Sequence, residues 1–362
     1  MKRKRLTAAL WAMLFAVLSV LFASAENAPE WADAEETLIG ETPGVTSATE
    51  SAPAWADVTL NSRGFLDEGE YVLEDAENGH WMFVNGTLRI QIERTFETPE
   101  KIRKKDAEQT FNCFTTEIWC DTEAGELPVT LWADPDAPGN INKTKTVADI
   151  AAEQGAVFAA STDLFTARIQ EKRTGIVIRN GEILYDGKNR HRAGSRPPYD
   201  TLAIYDDGHI DSFVPADRRA EEYLAEGAVQ VYTFGPVLVR NGEIPEEIAR
   251  KYDRNLNPMH AFGMIAPGHY VDVMCEGRMK SLNGSTGVNI ETMARIMKEK
   301  GCSIAVNLDG GDTAVIAFMG KQLNMVGKKI NGKVTGTAGR QTCEVMAFGG
   351  RKDGRGAPAF AD

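Results

Sequence analysis

The chain changes its hydrophobic rhythm part-way along. From about Tyr71 to Pro138 apolar residues recur at every second position, the period of strands with one buried face. "WMFVNGTLRIQIERTFE" (Trp81 to Glu97) sets two such runs around Asn85-Gly86, a pair that predicts a hairpin turn. "FNCFTTEIWC" and "LPVTLWA" read as further strands, so residues 61–140 form a β-rich N-terminal region. From Lys143 helices and strands take turns. Thr146 to Gln154 places Val147, Ile150 and Ala151 on one helical face, with Gly155 as the stop. A strand over 156–160 follows. Asn289 to Lys300 is a second amphipathic helix, with Ile290, Met293, Ala294 and Met297 inward and Gly301 as its stop. It feeds the apolar strand Ser303 to Leu308. The segments "GIVIRNGEILY" and "GPVLVRNGEI" share Arg-Asn-Gly-Glu-Ile, and Asn180-Gly181 and Asn241-Gly242 suit type I′ turns. They read as two copies of one hairpin.

The first 25 residues have a different logic. A basic head (Met1 to Arg5), an apolar run (Leu6 to Phe22) and Ala23-Ser24-Ala25 have the form of a cleaved export signal. If uncleaved, the run is just long enough to remain as a membrane anchor. Residues 26–60, rich in Ala, Glu, Thr, Ser and Pro, read as a disordered linker, and 351–362 as a flexible tail. These features predict a secreted or extracytoplasmic protein.

Charge narrows the partners. The whole chain carries −12, and after loss of residues 1–25 it has 36 basic against 52 acidic residues, or −16. That argues against nucleic acid, which needs a basic face. An anionic substrate would need a local cluster, and the candidates are Arg168, Lys172 and Arg173; Arg190 and Arg192; Arg250, Lys251 and Arg254; and Arg278 with Lys280. Five cysteines cannot all pair within the chain. Cys113 and Cys120 are placed to bridge a hairpin, and Cys275 and Cys302 read as core. The absence of C-x-x-C and of a His pair at ligand spacing argues against structural zinc.

Two segments align in register. "EQGAVFAASTD" (Glu153 to Asp163) and "EKGCSIAVNLD" (Glu299 to Asp309) match Gly155 with Gly301, Ser161 with Asn307 and Asp163 with Asp309. Each is a helix, a strand, and a polar residue and a carboxylate near the strand's C-terminal end. If strand alternation persists to the last residue, Ser161 and Asp163 share one face, as do Asn307 and Asp309. If the units lie side by side, their acids converge. Asp309-Gly310-Gly311-Asp312 is then either a tight turn or a place where glycines let a ligand approach a carboxylate.

"GVNIETMARIMKEKGCSIAVNLDGGDTAVIAFMGKQLN", preceded by "NPMHAFGMIAPGHYVDVMCEGR" and "AVFAASTDLF", resembles the phosphodiester glycosidase family over residues 141–350. The resemblance implies an α+β fold with a mixed β-sheet core, and activity on a sugar joined through its anomeric oxygen to a phosphodiester. It implies catalytic roles for Asp309 and Asp163. Substrate contacts would come from Ser161, Thr162, His260, Arg278, Asn307, Gly310, Gly311, Asp312 and Thr313. The chain departs from the family pattern at Ser161, where Asn is usual, at Met259, where Arg is usual, and at Asp312-Thr313-Ala314. Arg278 is the natural stand-in for the missing cation. No cofactor is expected, and Asp312 beside Asp309 leaves a divalent cation open. The expected function is an exported hydrolase of sugar-1-phosphodiesters in envelope or exopolysaccharide material. The alternative is a non-catalytic relative that binds carbohydrate or glycosyl phosphate.

Overall fold

The alternating N-terminal runs become strands β1 (Tyr71–Asp75), β2 (His80–Val84), β3 (Leu88–Glu97), β4 (Phe111–Cys120) and β5 (Val129–Trp132). After helix α1 (Val147–Gln154) come β6 (Phe158–Ala160), β7 (Ile176–Arg179), β8 (Glu182–Asp186), β9 (Asp200–Tyr205) and β10 (Ile210–Phe213). Helix α2 (Ala220–Ala225), β11 (Ala228–Phe234), β12 (Val237–Arg240) and α3 (Glu246–Lys251) lead to β13 (Met259–Ala266) and β14 (His269–Cys275). The rest is α4 (Lys280–Asn283), α5 (Ile290–Glu299), β15 (Ile304–Asn307), β16 (Ile316–Phe318), β17 (Lys321–Gln322), β18 (Val326–Ile330), β19 (Lys333–Thr337) and β20 (Glu344–Phe348). A computed structural model describes residues 58–163, 175–187, 199–213, 218–251, 255–331 and 333–350. The export signal, most of the linker, the tail, and Arg168, Lys172, Arg173, Arg190, Arg192 and Arg254 lie outside the described residues.

The strands form one eight-stranded sheet (β1-β2-β3-β4-β14-β13-β15-β12), two five-stranded sheets (β10-β9-β11-β7-β8 and β17-β16-β6-β20-β5) and the separate hairpin β18-β19. Every described pairing is antiparallel, for instance β13 with β14, β13 with β15 and β20 with β6. The expected mixed sheet is corrected here: the sheets are antiparallel and the helices few. The reason lies in the connections. Parallel neighbours need a crossover, usually helical, but the two helix-strand units deliver β6 and β15 into different sheets. Strands β1 to β4 continue the sheet that carries β12 to β15, through β4 paired with β14.

The main core lies where the three large sheets meet. Phe262 and Tyr270, Leu202 and Tyr232, and Phe158 and Phe348 are all buried in one cluster. The Phe262 ring centroid lies 5.5 Å from that of Tyr270 and 6.2 Å from that of Phe348. On the other face of the eight-stranded sheet, Met293 and Met297 of α5 pack against Val239, Ala261 and Val271. Both long helices are capped as their composition requires: Thr146 Oγ1 accepts from Asp149 N–H at 3.1 Å, and Asn289 Oδ1 from Thr292 N–H at 2.9 Å.

Three local expectations are refined. Asn180 and Asn241 have φ of 50° and 52°, as type I′ turns demand, but only the first copy is a ladder hairpin. In the second, Arg240 and Glu243 make an isolated bridge and β12 pairs with β15. The β2–β3 connection is held by the Asn85 side chain, whose Oδ1 accepts from Leu88 N–H at 2.8 Å. Cys113 and Cys120 both lie on β4, near opposite ends of one extended strand, so they cannot bridge a hairpin. All five cysteines are free and buried, and Cys113 instead faces Cys275 across β4–β14, with sulfurs 3.7 Å apart.

Candidate active site

Strand β6 ends at Ala160 and β15 at Asn307, so neither Asp163 nor Asp309 is on a strand. The alternation that would put Ser161 with Asp163, and Asn307 with Asp309, therefore stops short of the acids. The two ends still meet: Asp309 N–H donates to the Thr162 carbonyl at 3.2 Å.

Asp163 is fully buried. Its Oδ1 accepts from Arg179 Nη2 at 3.1 Å and its Oδ2 from Thr233 N–H at 2.7 Å. Arg179, the last residue of β7, is equally buried and bonds Glu344 at the start of β20. Nε reaches the two Glu344 oxygens at 3.1 and 2.9 Å, and Nη2 reaches Oε1 at 2.7 Å. The guanidinium lies 4.2 Å from the Tyr232 ring centroid, and Thr162 Oγ1 donates to Glu344 Oε1 at 3.0 Å. Burial alone would lower the Arg179 pKa, but Glu344 and Asp163 more than reverse this and keep the guanidinium charged. Burial raises Glu344 above the usual carboxyl range, against the pull of Arg179 and Thr162.

Asp309 is only half-buried. Burial pushes its carboxyl up to about 6, and the Asp163 charge adds to the rise. Thr313, Arg340 and the Gly310 N–H pull the other way. Arg340 reaches this neighbourhood because its N–H donates to the Asp312 carbonyl at 2.7 Å.

The other sequence-predicted residues divide into buried and accessible groups. Ser161 is fully buried, its Oγ accepting from Val315 N–H at 3.3 Å, and Asn307 Nδ2 donates to the Gly235 carbonyl at 3.2 Å. His260 is also fully buried: its Nε2 lies 2.6 Å from Asp272 Oδ2, and its Nδ1 has no partner. The double glycine has a packing reason. A Cβ on Gly310 would sit 2.7 Å from the Pro258 carbonyl oxygen, and Gly311, at φ 64°, donates its N–H to that same oxygen at 2.9 Å. Arg278 and Asp312 are accessible and paired, Nη1 to Oδ1 at 3.1 Å, while Arg278 Nη2 also holds Asn257 Oδ1 at 2.9 Å. Arg278 has a φ of 61°, uncommon for a residue with a side chain and a mark of functional sites. Among the described residues no group of three or more His, Cys, Asp or Glu is arranged to hold a metal.

Met259 belongs to the apolar cluster under α5, opposite Cys275. Met259→Arg is therefore expected to destabilise the protein by several kcal/mol, the effective penalty for burying an unpaired ion, and thermal unfolding measures it. A variant as stable as the parent that binds phosphodiesters more tightly would instead put this side chain at the substrate.

Arg179, Glu344 and Arg340 were not singled out by sequence reasoning. Arg179 offered a signal, a cation closing the apolar run "GIVI", but it occurs in a repeated turn motif whose second copy places Arg240 in solvent. Glu344 offered none.

The model of the phosphodiester glycosidase family matches residues 154–342, a span containing Asp163, Arg179 and Asp309. The chain belongs to the phosphodiester glycosidase family. A Bacillus subtilis (strain 168) relative, the SPbeta prophage-derived uncharacterized protein YomE, is 26% identical over 166 residues. That match covers 45% of this chain and 24% of YomE, so the chain spans about a quarter of that relative's length. The fold is similar to the catalytic domain of zebrafish N-acetylglucosamine-1-phosphodiester alpha-N-acetylglucosaminidase, auto-inhibited by its pro-peptide. There the TM-score is 0.54 at 18% identity, over 78% of this chain and 88% of the zebrafish chain.

Proposed function

We propose that the protein hydrolyses glycosyl phosphodiesters, with Asp309 as the working carboxylate. The single observation that carries this is Asp309 itself, half-open, with its carboxyl raised to about 6 and a buried ionic network behind it. An acid with such a pKa changes protonation near the pH at which enzymes operate, as catalysis by proton transfer or attack requires. Cleavage at an anomeric carbon passes through an oxocarbenium-like transition state, which a carboxylate stabilises or attacks. Asp163 has both oxygens engaged and no access to solvent, so we assign it a positioning role: a fixed negative charge that tunes Asp309. A phosphate departs readily once its charge is held. Among the described residues Arg278, which bonds Asp312, and Arg340, whose charge acts on Asp309, are cations suited to this by the permanent charge and fork geometry of Arg.

The basic, apolar and small-residue order of residues 1–25 supports export, and with it a substrate in envelope or exopolysaccharide material. The alternative, a relative that binds without cleaving, draws on Ser161 and Met259. The packed setting of both side chains, Ser161 bonded to Val315 and Met259 in an apolar cluster, supports structural roles at these positions and so weakens it. Release of free sugar from a synthetic sugar-1-phosphodiester by the purified protein tests the proposal, and binding without release favours the alternative. The pH profile adds a sharper check. With Asp309 acting ionised, kcat/KM rises with pH and levels off above about 6. A profile that falls through that pH gives Asp309 the proton-donor role, and a flat one removes it from the mechanism.

A further inference from the structure

Around the candidate site the charge balance of the chain reverses. From Thr313 to Cys343 there is no Asp or Glu, although the protein has 52 of them, and the stretch carries Lys321, Lys328, Lys329, Lys333 and Arg340. Lys328, Lys329 and Lys333 belong to the hairpin β18–β19, whose strands pair Lys328 with Thr335 and Lys329 with Val334. The hairpin walls a pocket of about 540 Å³ lined by Arg278, Asp312, Lys328, Lys329, Ile330 and Val334. Asp312 of this lining sits in the short turn Gly311–Thr313 that follows Asp309 in the chain.

One detail separates this wall from an ordinary solvated face. The hairpin is pressed onto the Arg278 segment: a Cβ on Gly327 would lie 2.4 Å from Met279 Cγ and 3.0 Å from the Arg278 carbonyl oxygen. Outside the pocket Lys143, Lys145, Lys298 and Lys321 have a carboxylate partner, while among the described residues Lys101, Lys280 and Lys300 have none. Among the described residues Lys328 and Lys329 have none, and the one acid lining the pocket, Asp312, is held by Arg278. Unpaired cations in a low spot of an otherwise acidic surface attract an anion.

We propose that the β18–β19 hairpin is a second anion subsite, one that binds a further phosphate of the substrate beyond the scissile one. The substrate class is then a chain of repeating phosphodiesters rather than a single capped sugar. This rests on the glycosyl-phosphodiester reading of the site. Lys329, on the face of β18 that Gly327 turns toward Arg278, holds the next phosphate, and Val334, its cross-strand partner on that face, covers the carbon linkage between charges.

Calorimetric binding tests the subsite without requiring turnover, using glycerol phosphate and its phosphodiester-linked trimer as probes. At low salt the trimer is expected to bind about tenfold more tightly than the monomer, as for charge-assisted contacts to phosphate, with the preference fading as NaCl screens it. Lys328→Ala/Lys329→Ala should abolish the preference with an unchanged melting temperature. Lys321→Ala, which removes one positive charge outside the pocket, should retain it. Equal binding of trimer and monomer by the parent, or a preference that survives the double substitution, overturns the subsite. Failure to cleave any sugar-1-phosphodiester, with the trimer preference intact, overturns the hydrolase reading and leaves the anion subsite standing.

Discussion

Asp309→Asn is expected to lower hydrolysis of a glycosyl phosphodiester by about 10²–10⁴-fold, the range for a positioned acid or base, while making the protein more stable at neutral pH. The sign of the stability change follows from linkage. The folded protein raises Asp309 from 3.8 to about 6, so it holds the proton more tightly than the unfolded chain. The stability due to that proton is fully present below about pH 3.8 and is lost as pH rises through about 6. Asn stays neutral throughout. The variant should therefore exceed the parent in urea unfolding above about pH 6 and converge with it near pH 4. Activity within a fewfold of the parent would remove Asp309 from the mechanism, and equal stability at every pH would mean that its burial carries no strain.

Arg179→Leu is the largest expected loss of stability. The substitution leaves Asp163 and Glu344 buried without the cation that faces both. Breaking a buried ion pair by removing one partner costs about 3–5 kcal/mol. The deficit should shrink as pH falls, because the stranded carboxyls can then take up protons, and Glu344 is already held high by burial. Arg179→Lys should recover little, since an ammonium cannot place donors on both acids in the same geometry. An Arg179→Leu midpoint in urea equal to that of the parent would mean that the network contributes nothing to folding. In that case Asp163 would need another explanation for its place behind Asp309.

Local features are legible in the amino-acid order alone. The helix of residues 147–154 and that of 290–299 follow from apolar spacing, an N-terminal Thr or Asn and a C-terminal Gly, all within a few turns of one another. The matched ends at Asp163 and Asp309 are legible too, because the same local grammar appears twice. Family membership rests on an order of motifs along the chain, which sequence also holds. The sheet order does not follow, since a strand's alternation states that it has a buried face but not which strand completes it. Nor does the difference between the two acids. Thr162 meets Glu344 across 182 residues, and Asp163 joins the same cluster through Arg179 on a strand of another sheet. The sequence by itself therefore determined the elements, the family and the two acids to watch. Only the tertiary structure decided that Asp163 is sealed in an ion pair while Asp309 remains open with a raised pKa. Burial and long-range charge set those states, and both arise only when distant segments pack together.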